Sequence, residues 1–249
     1  MTKNKHDVNK HSMTVAPLQN VALFSSLMSR VVNRPHHLPG MATFSGFSGY
    51  GKTWSAIYAA NKHRAYYVEL DETWTKKKLC QEILRAVGGY AKGHTIADYV
   101  TGIVEMMAST RLPLIVDEAD YLVAKNQVNI LRGIHDKSGA PVILIGEEAL
   151  PEKLTKWERV HNRMLDWVQA EPASFEDGRH LARLYAPNVS IGDDLMQKIT
   201  AASNGRVRRI CVNIEKVREF AVTRGIDTIG IDEWGDQELF RAQPPKRRK

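Results

Sequence analysis

Eight residues, Gly46-Phe47-Ser48-Gly49-Tyr50-Gly51-Lys52-Thr53, constrain this chain more than any other stretch. They satisfy the G-x-x-x-x-G-K-[ST] pattern of a phosphate-binding loop in full. Glycines are needed because the loop must turn its backbone N–H groups inward around phosphate oxygens, with no Cβ in the way, at the positive end of the following helix. The flanks have the required form. An apolar segment, 41–44, runs into the loop, and an alanine-rich helical segment, 54–60, runs out of it. Lys52 is placed to neutralise β- and γ-phosphates and Thr53 to offer its hydroxyl to Mg²⁺, so ATP and Mg²⁺ are the expected cofactors. Trp54, next to the loop, joins its eight residues as an expected nucleotide contact.

The loop sits in a chain that alternates short apolar runs with helical patterns. Strands are expected over 42–45, 65–70, 112–117, 142–146 and 165–169, with helices beginning near Lys52, Thr75, Thr95, Gln127 and Glu147. An earlier helix carries apolar positions Val21, Leu23, Phe24, Leu27, Met28 and Val31. Continuous apolar strands separated by helices predict an α/β fold with a parallel five-stranded sheet covered on both faces. After Pro172 the strand signal stops, and helices are expected over 175–185, 193–202, 206–224 and 232–240. The organisation expected is a disordered segment over 1–16, an α/β domain over 17–172, a small helical domain over 173–241 and a basic tail over 242–249.

A second chemical signal lies in Leu114-Ile115-Val116-Asp117-Glu118. A buried strand ending in two carboxylates supplies what a nucleotide hydrolase needs beside its phosphate loop. Asp117 is assigned to Mg²⁺ and Glu118 to polarising the attacking water. An acidic pair after a strand is commonly only a solvated helix start. Its place 65 residues beyond Lys52, two strands later, favours the catalytic reading.

Composition narrows the partners. Lys and Arg outnumber Asp and Glu by 35 to 28, a net charge of +7, which favours polyanionic partners. Four of the cations are Lys246, Arg247, Arg248 and Lys249. No apolar run approaches the roughly 18–20 residues of a membrane span, and the polar N-terminus carries no secretory signal, so a cytoplasmic protein without a membrane partner is expected. Cys80 and Cys211 are the only cysteines, which excludes a disulfide framework. His36, His37, His94, His135, His161 and His180 show no metal-ligand spacing, and the five tryptophans are scattered, as in packing or interface contacts.

Together the phosphate loop, the Asp-Glu pair and the trailing helices resemble the AAA+ ATPases over nearly the whole chain. The segments GFSGYGKTWSA, ELDETWTKKKLCQEILRAVGG, LIVDEADYL and ERVHNRMLDWVQAEPAS are similar to those of the DNA-transposition ATPases, typified by the phage Mu B protein and the TnsC target-selection proteins. The resemblance implies an ATPase that assembles as a homo-oligomer, a helical filament or ring, on double-stranded DNA and stimulates a DDE-type transposase. It implies an arginine finger before the last core strand, where Arg163 fits and Arg159 is the alternative, with Lys52 and Glu118 as the other catalytic groups. It implies an arginine from the C-terminal helices folding back onto nucleotide, with Arg208 preferred over Arg206 and Arg209. It also implies DNA contacts from Lys76, Lys77 and Lys78, with Lys92 and Lys125 as weaker candidates, largely independent of base sequence.

Two departures from the family pattern stand out. The fourth strand leads into Gly146-Glu147-Glu148 where an Asn, Thr or Ser is usual, which predicts slow hydrolysis or water orientation by Glu147. About 40 residues precede the loop, too few for a folded helix-turn-helix domain such as the phage Mu protein carries.

Overall fold

The computed structural model describes residues 16–242. The chain segments α1 (Gln19–Val32), β1 (Met41–Ser45), α2 (Lys52–His63), β2 (Tyr66–Glu69), α3 (Lys76–Ala86), α4 (Ile96–Thr110), β3 (Leu114–Asp117), α5 (Asp120–Ala124), α6 (Val128–Ser138), β4 (Val142–Gly146), α7 (Leu150–Thr155), α8 (Glu158–His161) and β5 (Met164–Gln169) follow one another in that order. All five strands are parallel, in the order β2-β3-β4-β1-β5. The expected strands and the five longer helices are present. The short helices α5 and α8 were not anticipated, because four or five residues carry too little periodicity to read.

Period-two alternation splits the sheet's side chains between two layers. Ala42, Phe44, Ile115, Ile143 and Ile145 pack against α1 and α2 through Phe24, Leu27, Met28, Val31, Ala56 and Ala59. Met41, Leu114, Val116, Val142 and Leu144 face the opposite layer, formed by α3 to α8 through Leu79, Ile83, Ile103, Met107, Leu131, Leu150 and Val160. Local signals fix the helix starts. Thr95 and Asp98 form a reciprocal capping box at α4, and Thr75 accepts the Lys78 amide at α3.

Beyond β5 lie α9 (Phe175–Tyr185), β6 (Ser190–Ile191), α10 (Asp193–Ala202), α11 (Val207–Arg224), β7 (Thr228–Ile229) and α12 (Ile231–Trp234). β6 and β7 form a two-residue parallel pair where only helices were expected, since strands this short show no pattern. The last helix is shorter than the expected 232–240. Gly235 turns the chain at φ +58°, and Asn213 then holds the segment beyond it, donating Nδ2 to the Phe240 carbonyl (3.1 Å) and accepting the Phe240 amide (2.6 Å).

This region has its own core of Leu181, Leu195, Met196, Ile199, Ile210, Ile214, Val217 and Trp234. Ala16, Leu18 and Val21 belong to that same core, so the start of α1 packs with the C-terminal helices and the rest of α1 packs under the sheet. Ala16, assigned from sequence to a disordered segment, is therefore a buried residue. The remainder of that segment and the cationic residues Lys246 to Lys249 lie outside the described residues. Among the described residues, no helix is long and apolar enough to cross a membrane.

Candidate active site

The phosphate-loop pattern lies between the C-terminal end of β1, an interior strand flanked by β4 and β5, and the first turn of α2. Three glycines are demanded by the geometry. A Cβ on Gly46 would stand 3.0 Å from the Ala170 side chain and 3.2 Å from the Ala170 carbonyl, while Gly49 and Gly51 adopt φ of +89° and +85°. The 12-residue helix α2 begins at Lys52, directing its unpaired amides back toward the loop. Trp54 is exposed beside it, as is Phe47, whose ring meets Tyr50 edge-on at 5.7 Å.

Lys52 and the two carboxylates converge on this end of the sheet. Lys52 Nζ donates to the carbonyls of Gly46 (2.6 Å) and Phe47 (3.0 Å), closing the loop on itself. Burial lowers its ammonium below the ordinary lysine range, against the opposing pull of Asp117, Glu118, Glu147 and Asp120. Asp117 is 2% exposed and accepts three hydrogen bonds. Its Oδ2 accepts from the Thr53 hydroxyl at 2.8 Å and from the Tyr67 hydroxyl at 3.0 Å, and its Oδ1 accepts the Glu118 amide at 2.8 Å. β4 lies between β1 and β3, so this contact bridges over the end of the intervening strand. Burial first, then Asp117, pushes the Tyr67 phenol upward and keeps it a hydrogen-bond donor.

Glu118 takes the left-handed conformation at φ +56°, which costs a non-glycine residue ~1–2 kcal/mol. The turn leaves its side chain exposed beside Asp117. Partial desolvation of its carboxyl at the sheet end, followed by the Asp117 charge, raises it above the ordinary glutamate range, the direction suited to a group that must accept a proton.

Asp120 occupies the ground left by the unusual end of β4. Its Oδ2 accepts the Glu147 amide at 2.6 Å and its Oδ1 accepts from Lys153 Nζ at 2.7 Å. A Cβ on Gly146 would come within 2.3 Å of that carboxylate, so the glycine is what lets β4 end so close to it. Glu147 is exposed here, anchored through its backbone.

The arginines separate by position. The stem of Arg206 lies over the loop, 3.5 Å from where a Gly49 Cβ would stand, and Val207 covers Gly51 at the same distance. Arg208, the position preferred from sequence, is exposed one helical step further on. The structure lays the Arg206 stem against the loop because Arg206 is the N-cap of α11, directly after the Gly205 turn. Arg163 stands at the opposite end of the sheet, where its carbonyl accepts the Met41 amide, and its guanidinium pairs with Asp136 at 2.8 Å. Arg159 is exposed and, among the described residues, has no ion pair. Arg163 therefore lies away from this chain's own loop.

The lysines do not form one patch. Lys76, Lys77 and Lys78 open α3 and are exposed, but Lys78 pairs with Glu82 on its own helix. Lys92 follows the other end of α3, a helix ~16 Å long. It shares a depression with Asp98 and Glu105, whose charges oppose its own. Lys125 donates to the carbonyls of Glu72 and Trp74 and holds the α3 approach in place.

Sequence reasoning missed Tyr67 and Asn20, which donates to the Tyr50 carbonyl at 2.8 Å. Alternation along β2 puts a phenol at position 67, but nothing local says what it faces. Asn20 is a polar residue amid an apolar helical stripe, a signal that can be seen but not assigned.

Residues 36–154 match the family model described as AAA domain. No curated protein matches the sequence. Among solved structures the fold is similar to Cdc6p from Pyrobaculum aerophilum, at 17% identity and TM-score 0.61 over 89% of this chain and 66% of that one. It is similar to the Aeropyrum pernix ORC1 protein in complex with DNA, at 16% identity and TM-score 0.60 over 84% and 61%. The Thermotoga maritima RuvB Holliday junction branch migration motor aligns at 18% identity and TM-score 0.59 over 86% and 66%. The chain spans about two thirds of the length of these structures. Residues 36–154 thus match an AAA domain, and they lie within a five-stranded α/β fold similar to that of the Cdc6p, ORC1 and RuvB structures.

Proposed function

We propose that the protein is an ATPase that binds ATP with Mg²⁺ at the loop, assembles in that state on double-stranded DNA, and presents the DNA to a DDE-type transposase. Hydrolysis then drives disassembly. The observation that carries the nucleotide reading is the meeting of Thr53 and Asp117 at 2.8 Å beside Lys52. A hydroxyl and a carboxylate are hard oxygen donors that suit Mg²⁺, with phosphate oxygens and water completing its shell. Positive φ at Gly49 and Gly51 lets the loop turn with no Cβ of its own in the way, as a phosphate-binding loop requires. Bound Mg²⁺ supplies charge stabilisation at the β- and γ-phosphates.

This chain's residues do the rest. Lys52 exchanges its carbonyl partners for phosphate oxygens, and Asp117 and Thr53 would hold the metal. Glu118 orients a water toward the γ-phosphorus and takes its proton as the bond to the leaving ADP oxygen breaks. Arg206 is placed to contact phosphate from the C-terminal side, and Arg159 or Arg163 serves the site of an adjoining copy. Exposed Lys76 and Lys77 supply backbone contacts to DNA, making binding strongly salt-dependent. The transposition role is supported by the similarity of the four segments quoted above.

A second reading is an initiator-like or loader ATPase that acts on a protein partner. The fold similarity to Cdc6p and the ORC1 protein favours it. Negative-stain microscopy with a slowly hydrolysed ATP analogue and Mg²⁺, with and without duplex DNA, separates the two. Filaments that need both nucleotide and DNA and vanish in Lys52→Ala support the first reading. Closed rings or monomers indifferent to DNA overturn it in favour of the second.

A further inference from the structure

One buried asparagine joins the phosphate loop to the segment that connects the two cores. Asn20 is 4% exposed, in the first turn of α1. Its Nδ2 donates to the carbonyls of Tyr50 (2.8 Å) and Glu171 (2.7 Å), and its Oδ1 accepts the Glu171 amide (2.9 Å). One residue earlier, the Gln19 amide donates to Asp177 Oδ1 at 2.8 Å, and Asp177 Oδ2 caps α9 by accepting the Ser174 amide. The connecting segment is tied in turn to the start of α11. The Ala173 amide donates to the Gly205 carbonyl at 2.8 Å, and a Cβ on Gly205 would come within 2.5 Å of Pro172. Arg206, next in sequence, returns to the loop over Gly49. These contacts close a circuit: Tyr50, Asn20, Glu171, Ala173, Gly205, Arg206, Gly49.

We propose that Asn20 is a positioning residue that couples occupancy of the phosphate loop to the placement of the C-terminal helices, with α1 as the strut between them. This rests on the nucleotide-binding reading above. α1 is 14 residues, ~21 Å long, and a helix does not stretch. Its first turn lies in the C-terminal core and the rest lies under the sheet, so a movement of either core must pass through the Asn20 junction. A buried amide is favourable only while its partners are kept. Losing it would leave two carbonyls and an N–H without their partner, so the circuit holds one geometry rather than a range. Nucleotide seated on the loop fixes Tyr50 and Arg206 at the circuit's two ends and so tightens every link between them.

Hydrogen exchange of the full chain with and without a fluorescent ATP analogue and Mg²⁺ tests this, together with the analogue's Kd. In the wild type, nucleotide should slow exchange at Gln19, Glu171 and Ala173 as well as in the loop. In Asn20→Ala, loop amides 49–53 should still gain protection while those three do not, and the analogue should bind roughly tenfold more weakly. A change in stability alone would not uncouple the two sets of amides. Wild-type protein that binds the analogue with no change at Glu171 and Ala173 overturns the proposal, as does Asn20→Ala that behaves as wild type. Should Asn20→Ala not fold, the wild-type exchange pattern decides by itself. Wild-type protein that binds no analogue, like the Lys52→Ala control, instead removes the nucleotide reading and the coupling with it.

Discussion

Replacing Tyr67 by phenylalanine removes the single oxygen that meets the Asp117 carboxylate. That hydroxyl donates to Asp117 Oδ2 at 3.0 Å, and Asp117 is 2% exposed. A hydrogen bond to a charged group contributes ~1.5–3 kcal/mol net. Asp117 retains the Thr53 hydroxyl and the Glu118 amide, which places the loss in the lower part of that range, ~1.5–2 kcal/mol. The ring itself is unchanged, so no cavity term is added. For a chain of this length each kcal/mol shifts Tm by ~2–4 °C, giving an expected fall of ~3–8 °C. Thermal and urea unfolding without nucleotide measure it. Because the cost is assigned to one pair, Tyr67→Phe in an Asp117→Ala background should cost under ~0.5 kcal/mol. An equal cost in both backgrounds would refute the pairing and assign the loss to the phenol's other surroundings.

Three further outcomes are expected. Glu118→Gln should retain nucleotide binding while lowering turnover by ~10²–10⁴. In the wild type, activity should fall as pH drops through a carboxyl value above 4.5, and this limb should be absent from the variant's profile. The same raised value means that the folded chain binds this proton more tightly than the unfolded one. Its contribution to stability is thus present below 4.5 and lost as pH rises through the folded value, a trend calorimetry should find flattened in Glu118→Gln. Arg206→Ala should weaken ATP-analogue binding by roughly tenfold and Arg208→Ala by less than about twofold, measured by fluorescence titration. Reversed values would return the role to Arg208. Finally, burial pushes the thiols of Cys80 and Cys211 up to about 11, so a thiol-specific reagent at pH 8 should label native protein slowly and denatured protein quickly. Fast labelling of the native protein would contradict the burial of Cys80.

The amino-acid sequence by itself determined the phosphate loop, the Asp117-Glu118 pair and the parallel α/β order. Each is a local pattern: glycines at fixed offsets, apolar runs of strand length, and caps such as Thr95 with Asp98. It did not determine which arginine reaches the loop. Arg206, Arg208 and Arg209 are equivalent in composition, and only the fold lays the stem of Arg206 against Gly49. Nor could it divide α1, whose apolar stripe is continuous although its ends serve different cores. The lysine candidates show the same limit, since Lys78 and Lys125 are engaged by Glu82 and by the carbonyls of Glu72 and Trp74. Asn20 meets Glu171 across 151 positions and Tyr67 meets Asp117 across 50. Periodicity and propensity act over a few residues, whereas these pairs exist only because the sheet order and the connecting segment bring distant strands and helices to one point.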